Sequence, residues 1–320
     1  MKKMINQVHV EGRLYQHDLK LKKVKNEKSK NFGVEFFQGS LSIATDEACT
    51  NIVDVHFTYV PPITSQGKES STFTALKRIF ENENSTLVKA GKDECFKVSV
   101  SASFGVNDWW STRENKFVST PRVEGSFVNI IQNLKAKEDD RRNFTLDFLM
   151  TKARRVEAQS DNEQDYVKLK GAAFDFRGAL LPFEPISYVG ADYFEGLDPE
   201  TPHFLKVFGV LDFCNIEETV EEEGVFGTIV TTRQKRKKDW VINNISPIEY
   251  DFNDESESLT PAELQQASQN RELLKAEIKK SSEEYAAQSN TGSGFAAASA
   301  APKPAATPLA NLTANTDFDF

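Results

Sequence analysis

Cations and aromatic side chains interleave at three places along this 320-residue chain. Lys20, Lys22, Lys23, Lys25, Lys28 and Lys30 crowd the segment LKLKKVKNEKSK, opposed by a single Glu and followed by Phe32, Phe36 and Phe37. Trp109 and Trp110 precede Arg113 and Lys116 in NDWWSTRENK. Arg233, Lys235, Arg236, Lys237 and Lys238 run directly into Trp240. These side chains suit binding rather than bond-making. Ammonium and guanidinium groups neutralise a phosphate backbone, and aromatic faces stack on bases at about 1–3 kcal/mol each with little regard to sequence. Adjacent Trp109 and Trp110 cannot both face a core in an extended segment, so at least one is predicted to be exposed; the other could cap a barrel end.

Bond-making chemistry finds no foothold. His9, His17, His56 and His203 are scattered without metal-ligand spacing, and no GxxxxGK[ST] loop or GxSxG elbow is present. The chain therefore reads as a non-enzyme with no metal and no cofactor. Cys49, Cys95 and Cys214 are isolated and odd in number, which argues against a disulfide framework and makes a reducing cytoplasm the expected compartment. The N-terminal MKKMINQVHVEGRLY lacks the apolar core of a signal peptide, and no apolar run approaches the roughly 20 residues of a membrane span.

A net charge of −9 taken alone opposes a nucleic-acid partner, but its distribution reverses that. Residues 251–320 hold 11 Asp/Glu and 5 Lys/Arg, leaving 37 acidic against 34 basic residues in 1–250. The body is nearly neutral overall, and local basic stripes are what a phosphate backbone meets.

The elements that must position these clusters are mostly strands. Ile5, Val8, Val10 and Leu14 alternate with polar neighbours, the period-2 pattern of a half-buried strand. It returns in FGVEFFQGSLSIATD, NIVDVHFTYV, CFKVSVSASFGV and RVEGSFVNII. Between the third and fourth of these strands, Phe73, Leu76, Ile79 and Phe80 share one helical face. Five strands with a helix between the third and fourth is the order of an OB-fold barrel. A second cycle of strands follows, with a bulge expected at Gly171 and with Phe174, Phe176, Phe183 and Phe208 as core residues. RQKRKK is expected at a basic hairpin tip.

The fold class is thus mainly β: two five-stranded OB-fold-like barrels, a C-terminal helix and a disordered tail. The expected divisions are 1–137 for the first barrel, 138–250 for the second, 251–286 for an acidic linker and helix, and 287–320 for the tail. The boundary lies in LKAKEDDRRN, 134–143. Thr260, Pro261 and Glu263 form a capping box with Pro at the first helical position. The tail is Ala- and Pro-rich, too apolar-poor to fold, and ends in Asp317, Phe318, Asp319 and Phe320. Two Phe and two Asp at the end of a tether read as bait for a basic, apolar pocket on another protein.

An opening VHVEGRL strand with its Gly12-Arg13-Leu14 step, OB strand order, basic–aromatic interleaving and an acidic, Phe-containing tip together resemble the single-stranded-DNA-binding protein (SSB) family. The tip is shorter than that family's run of Asp followed by Ile-Pro-Phe, and the chain is about twice the length of the familiar one-barrel form. The resemblance is to a divergent, phage-type member. It implies sequence-tolerant binding of single-stranded DNA in replication or recombination, partner proteins recruited through the tip, a possible homo-oligomer and residence in a bacterial host cytoplasm. The other readings are a virion or assembly protein whose β-domains oligomerise and, behind it, a nuclease or other DNA-processing enzyme working through carboxylates that no motif marks.

Overall fold

The computed structural model describes residues 4–158, 164–224, 227–247 and 259–290; of 215–236, 247 and 285–290 it describes the backbone alone. The tip Asp317–Phe320 lies outside the described residues.

The first half of the chain forms β1 (Asn6–His17), β2 (Lys20–Lys23), β3 (Glu35–Ala44), β4 (Ile52–Val60), α1 (Ser71–Glu81), α2 (Leu87–Ala90), β5 (Lys97–Ser111) and β6 (Lys116–Ile131). Alternation puts Val8, Val10, Leu41, Ile43, Val53, Val55, Val98 and Val100 inward, where all are buried. Strand β1 pairs with both β3 and β5, β3 with β4, and β5 with β6. A parallel pairing of β4 with β6 at Val55–Val123 closes the ring. The cyclic order is first, second, third, fifth, fourth strand, with α1 between the third and fourth, as an OB-fold requires. Helix α1 starts where the Ser70 hydroxyl accepts from the Phe73 N–H at 3.1 Å, and it buries Leu76 and Ile79 under the ring.

The same order recurs in β7 (Arg142–Val156), β8 (Tyr166–Phe174), β9 (Leu180–Phe183), β10 (Ile186–Ser187), α3 (Ala191–Gly196), β11 (His203–Asp212), β12 (Asn215–Gly224), β13 (Gly227–Arg236) and β14 (Asp239–Pro247). Strand β7 pairs with β8 and β11, β8 with β10, and β11 with β14. A parallel β10–β14 contact closes this second ring. Strand β9 pairs with β8 in the same register as β10 and so continues the third strand, and the β12–β13 hairpin is inserted between the fourth and fifth strands. The bulge expected at Gly171 is present, with the surplus residue on the facing strand: Met150 pairs with Gly171 and Lys152 with Lys170, leaving Thr151 over. A Cβ at Gly171 would stand 2.1 Å from the Leu149 carbonyl oxygen, so the crossing of β7 and β8 admits only glycine.

The rings are one body. Residues 6–10 of β1 pair with 142–146 of β7, and a single buried cluster runs through both interiors. The Asn6 side-chain amide donates to the carbonyls of Phe104 (2.9 Å) and Phe174 (2.8 Å), one on each side of the seam. The charged stretch 134–143 is pinned rather than loose. The buried Glu11 carboxylate accepts from the Lys135 and Ala136 N–H groups, and the Glu11 N–H donates to the Arg141 carbonyl at 2.7 Å. Glu47 takes both Arg141 (2.8 Å) and Arg13 (2.9 Å), which hold its carboxyl below the usual carboxylate range.

Helix α4 (Pro261–Asn290) begins at the predicted capping box: the Thr260 hydroxyl accepts from the Glu263 N–H (3.3 Å) while the Glu263 carboxylate accepts from the Thr260 N–H (3.2 Å). Its first turns pack Leu259 and Ala267 against Leu149, Phe174 and Phe204 of the second ring. It then crosses to the first, where the Arg271 guanidinium donates to Asp108 of β5 and to the Ser119 hydroxyl of β6, both at 2.9 Å. The Arg271 and Asp108 side chains are 5% and 9% exposed. Arg271→Ala strands the Asp108 carboxylate without its counter-charge and is expected to destabilise the protein by about 3–5 kcal/mol. In urea denaturation the Asp108→Ala/Arg271→Ala double variant should recover part of that loss; a single variant as stable as the parent would contradict the pairing.

Candidate nucleic-acid interface

In an OB-fold the outer faces of the second and third strands, flanked by the 1–2 and 4–5 connections, form the oligonucleotide surface. In the first ring these are β3 and β4, residues 18–34 and the tip of the β5–β6 ribbon. Strand alternation points Phe37 inward and Phe36 outward. On β4 the same alternation would point Tyr59 inward with Val55 and Phe57. A bulge prevents it: Gly39 pairs with Phe57 but Phe37 with Val60, so β4 carries an extra residue there. The bulge turns Tyr59 outward, where it is 41% exposed and packs against Phe36 with ring centroids 4.7 Å apart and the rings tilted at 45°. The Tyr59 hydroxyl accepts from the Asn31 amide at 3.3 Å.

This aromatic pair forms one wall of an open depression of about 810 Å³ whose other walls include Leu21, Lys22, Lys23 and Lys25. Lys22 bonds Gln38 (2.7 Å) and Lys23 pairs with Glu35 (3.2 Å). Lys20, Lys25, Lys28 and Lys30 are exposed and make no ion pair among the described residues. Tyr59 also borders a larger groove of about 1160 Å³ that runs past His56 and Arg122 to Phe176, Arg177 and Arg271, so the two depressions share its ring as a wall. Along the groove Arg122 is tied to Glu124 (2.8 Å) and Arg271 to Asp108, whereas Arg177 makes no ion pair among the described residues. Burial, with Arg122 and Lys238 nearby, pushes the His56 imidazole below its ordinary value and keeps it neutral at pH 7.

Phe176 corrects the expectation that it is a core residue. It lies in the turn after β8, 90% exposed, with the Arg177 guanidinium 5.1 Å from its ring centre. Phe174 and Phe183 are buried as expected.

The β5–β6 ribbon places Trp109 and Trp110 on opposite faces. Trp109 is 41% exposed beside Val118. Trp110 already has a cation over its ring, the Lys279 ammonium of α4 at 4.5 Å, and the neighbouring Phe117 receives Arg271 (5.6 Å) and Lys275 (6.0 Å). Arg113 is exposed at the ribbon tip; Lys116 is exposed and paired with Glu114 at 2.5 Å.

The third basic cluster needs correction. Arg233, Lys235 and Arg236 belong to strand β13 and not to a hairpin tip, since β13 pairs with the acidic β12 and places Arg233 opposite Glu218. Their side chains lie outside those described. Lys237 is a structural cation: its ammonium donates to Tyr188 Oη (3.0 Å) and Asp212 (3.0 Å) and lies 3.2 Å from Asp239. Burial alone would lower its pKa, but these partners outweigh burial and raise it above the ordinary lysine value. Lys238 reaches Asp54 of the first ring at 3.4 Å. Trp240 is no stacking platform. It is 5% exposed, wedged between Phe104 (5.1 Å), Phe144 (5.2 Å) and Phe183 (5.5 Å), because alternation along β14 points it into the seam.

Among the described residues no group of three or more His, Cys, Asp or Glu is placed to hold a metal ion, and no helix is long and apolar enough to cross a membrane.

Two rings in OB strand order, with an aromatic pair set among lysines on the first, define a tandem OB-fold protein. The chain belongs to the YorF family, whose model matches residues 4–281. No curated protein matches the sequence. Among solved structures, a deletion mutant of the single-stranded DNA binding protein from Thermus aquaticus is 12% identical, with a TM-score of 0.45 over 80% of this chain and 100% of that one. The wild-type form of the same protein is 13% identical, with a TM-score of 0.44 over 77% and 93%. These likenesses are loose, and the OB assignment rests on the strand pairings themselves.

Trp240→Ala is expected to cost about 3–5 kcal/mol of stability, whereas Trp240→Phe should keep oligonucleotide affinity within about twofold. Strongly weakened binding by a Trp240→Phe variant with an unchanged melting curve would return the residue to the interface.

Proposed function

We propose that the protein is a non-enzymatic, sequence-tolerant single-stranded-DNA-binding protein of replication or recombination. One observation carries the reading: the outward Phe36–Tyr59 pair, set among the ammonium groups of residues 20–30 on the outer face of the second and third strands. Phosphates lie along Lys20, Lys22, Lys23, Lys25, Lys28 and Lys30, while bases stack on Phe36 and Tyr59. The strand then continues through the Tyr59 groove toward Phe176 and Arg177, with Trp109 and Arg113 on the ribbon flanking it. Residues 1–137 and 138–250 act as two barrel units. A duplex presents no free base faces and gains only the phosphate contacts.

Fluorescence anisotropy with labelled oligo-dT of about 30 nucleotides and a matched duplex tests this. Single strands should bind tightly, with affinity falling steeply between about 50 and 200 mM salt as counterions are released. Phe36→Ala and Tyr59→Ala should each lose about 1–3 kcal/mol, roughly 5- to 150-fold. Equal affinity for the duplex, or full affinity in the double variant, would sink the reading.

The tip Asp317–Phe320 is assigned to partner recruitment. Deleting it should leave oligo-dT affinity unchanged or slightly improved and abolish association with replication or recombination proteins. Loss of DNA binding on deletion would overturn this role.

A further inference from the structure

Strand β8 is the second strand of its ring and β10 the third, and they repeat the device seen on the first. Phe36 stands near the start of β3 and Tyr59 near the end of β4; in the second ring Tyr166 opens β8 and Tyr188 directly follows β10. The two tyrosine rings lie 6.0 Å apart at 64°. No run of residues in the sequence relates the two pairs; the strand order does.

The cations beside this pair are arranged at a cost. Lys152 of β7 pairs directly with Lys170 of β8, and Arg154 with Lys168. Residues opposite one another on paired strands share a face, and like charges placed so repel. Lys168 is relieved by Glu184 at 2.8 Å, but Lys152, Arg154 and Lys170 make no ion pair among the described residues. Two stacked like-charge pairs on adjoining strands have no use in holding the sheet together. They are what a polyanion with two successive phosphates would need, and Tyr166 at the end of the row offers a ring face for a base, beside a Tyr188 whose ring already has the Lys237 ammonium 5.5 Å from its centre. A peptide acidic but without aromatic residues would use the charges and leave the ring faces without a purpose.

We propose that the outer face of β7 and β8, with Tyr166 and Tyr188, is a second single-strand site on the same chain. The inference rests on the function proposed above and extends it: one strand long enough to span both rings engages both aromatic pairs.

The test uses the full chain and two labelled oligo-dT probes, of about 8 nucleotides for one ring and about 30 for both. Lys152→Glu/Arg154→Glu turns both repulsive pairs into attractive ones, so the melting temperature should stay or rise. The short probe should lose no more than about twofold, while the long probe weakens about tenfold and its log–log salt slope becomes shallower by about 1.4, two phosphates at about 0.7 each. Tyr166→Ala should weaken the long probe selectively. If the charge-reversed protein fails to fold, Lys152→Gln/Arg154→Gln carries the same expectation. Unchanged long-probe affinity and slope in a folded variant would overturn the second site while leaving the first intact, because Phe36→Ala/Tyr59→Ala must weaken both probes. Retained DNA binding with lost binding of a synthetic Asp/Phe-rich peptide copying the chain's own C-terminus would also overturn it, in favour of an acidic peptide as occupant. A parent protein that binds neither probe removes the function proposed above and this inference with it.

Discussion

Burial of Trp240 at the seam is the contact on which the rest of the arrangement depends. Its indole touches Phe104 from the first ring and Phe144 and Phe183 from the second, so neither ring completes its interior without the other. A buried aromatic of this size removes 150–250 Å² from water and gains further from edge-to-face contacts, which makes the seam far stronger than any surface ion pair across it. The β1–β7 pairing and the Asn6 amide then fix the rotation of one ring against the other. That rotation brings Tyr59 and Phe176, from different rings, to the borders of one groove. A loose tether between two barrels would leave each aromatic group to act alone.

The charges follow a different logic from the core. Where a cation serves the fold, it is matched: Lys237 sits among Asp212, Asp239 and Tyr188, Arg141 on Glu47, Arg271 on Asp108. Where it does not, it is left exposed: Lys20, Lys25, Lys28 and Lys30 face solvent. Exposed pairs contribute little to stability, so unmatched surface lysines cost the fold little and remain free to give up counterions to a phosphate chain. The division explains how a chain of net charge −9 can still present local basic stripes.

Much of the architecture was legible because period-2 alternation and turn residues act locally. The ten ring strands, α1 and the capping box of α4 all follow from side-chain types at fixed spacing. The site was legible only in part, and the failures share a cause. Tyr59 faces outward because of a one-residue bulge that shifts parity between Phe57 and Val60, and no residue type in FTYVPP signals it. RQKRKK looked like a hairpin tip because the strands flanking it in sequence are not each other's partners: β13 pairs back to β12. Phe176 sits in an apolar stretch, but Asp175 accepts from the Arg177 and Ala179 N–H groups, and this turn throws the ring out of the sheet. Trp240 borders a basic run, and adjacency in sequence says nothing about which face a strand residue takes.

The same comparison of magnitudes decides between the two aromatic surfaces of the first ring. A base stacked on Trp110 in place of Lys279 would gain about 1–3 kcal/mol and forfeit a cation–π contact of about 0.5–1 kcal/mol, a small net advantage. Reaching Trp110, however, requires α4 to leave the ribbon, and that separates Arg271 from Asp108 in a nearly water-free contact, at about 3–5 kcal/mol if Asp108 is left stranded. It also exposes Phe117 and loosens the helix's hold on the second ring through Leu259 and Ala267. One base cannot offset that. The Trp110 face of the ribbon stays covered by the chain's own cations, whereas the surface that the β4 bulge made around Phe36 and Tyr59 is exposed without any rearrangement.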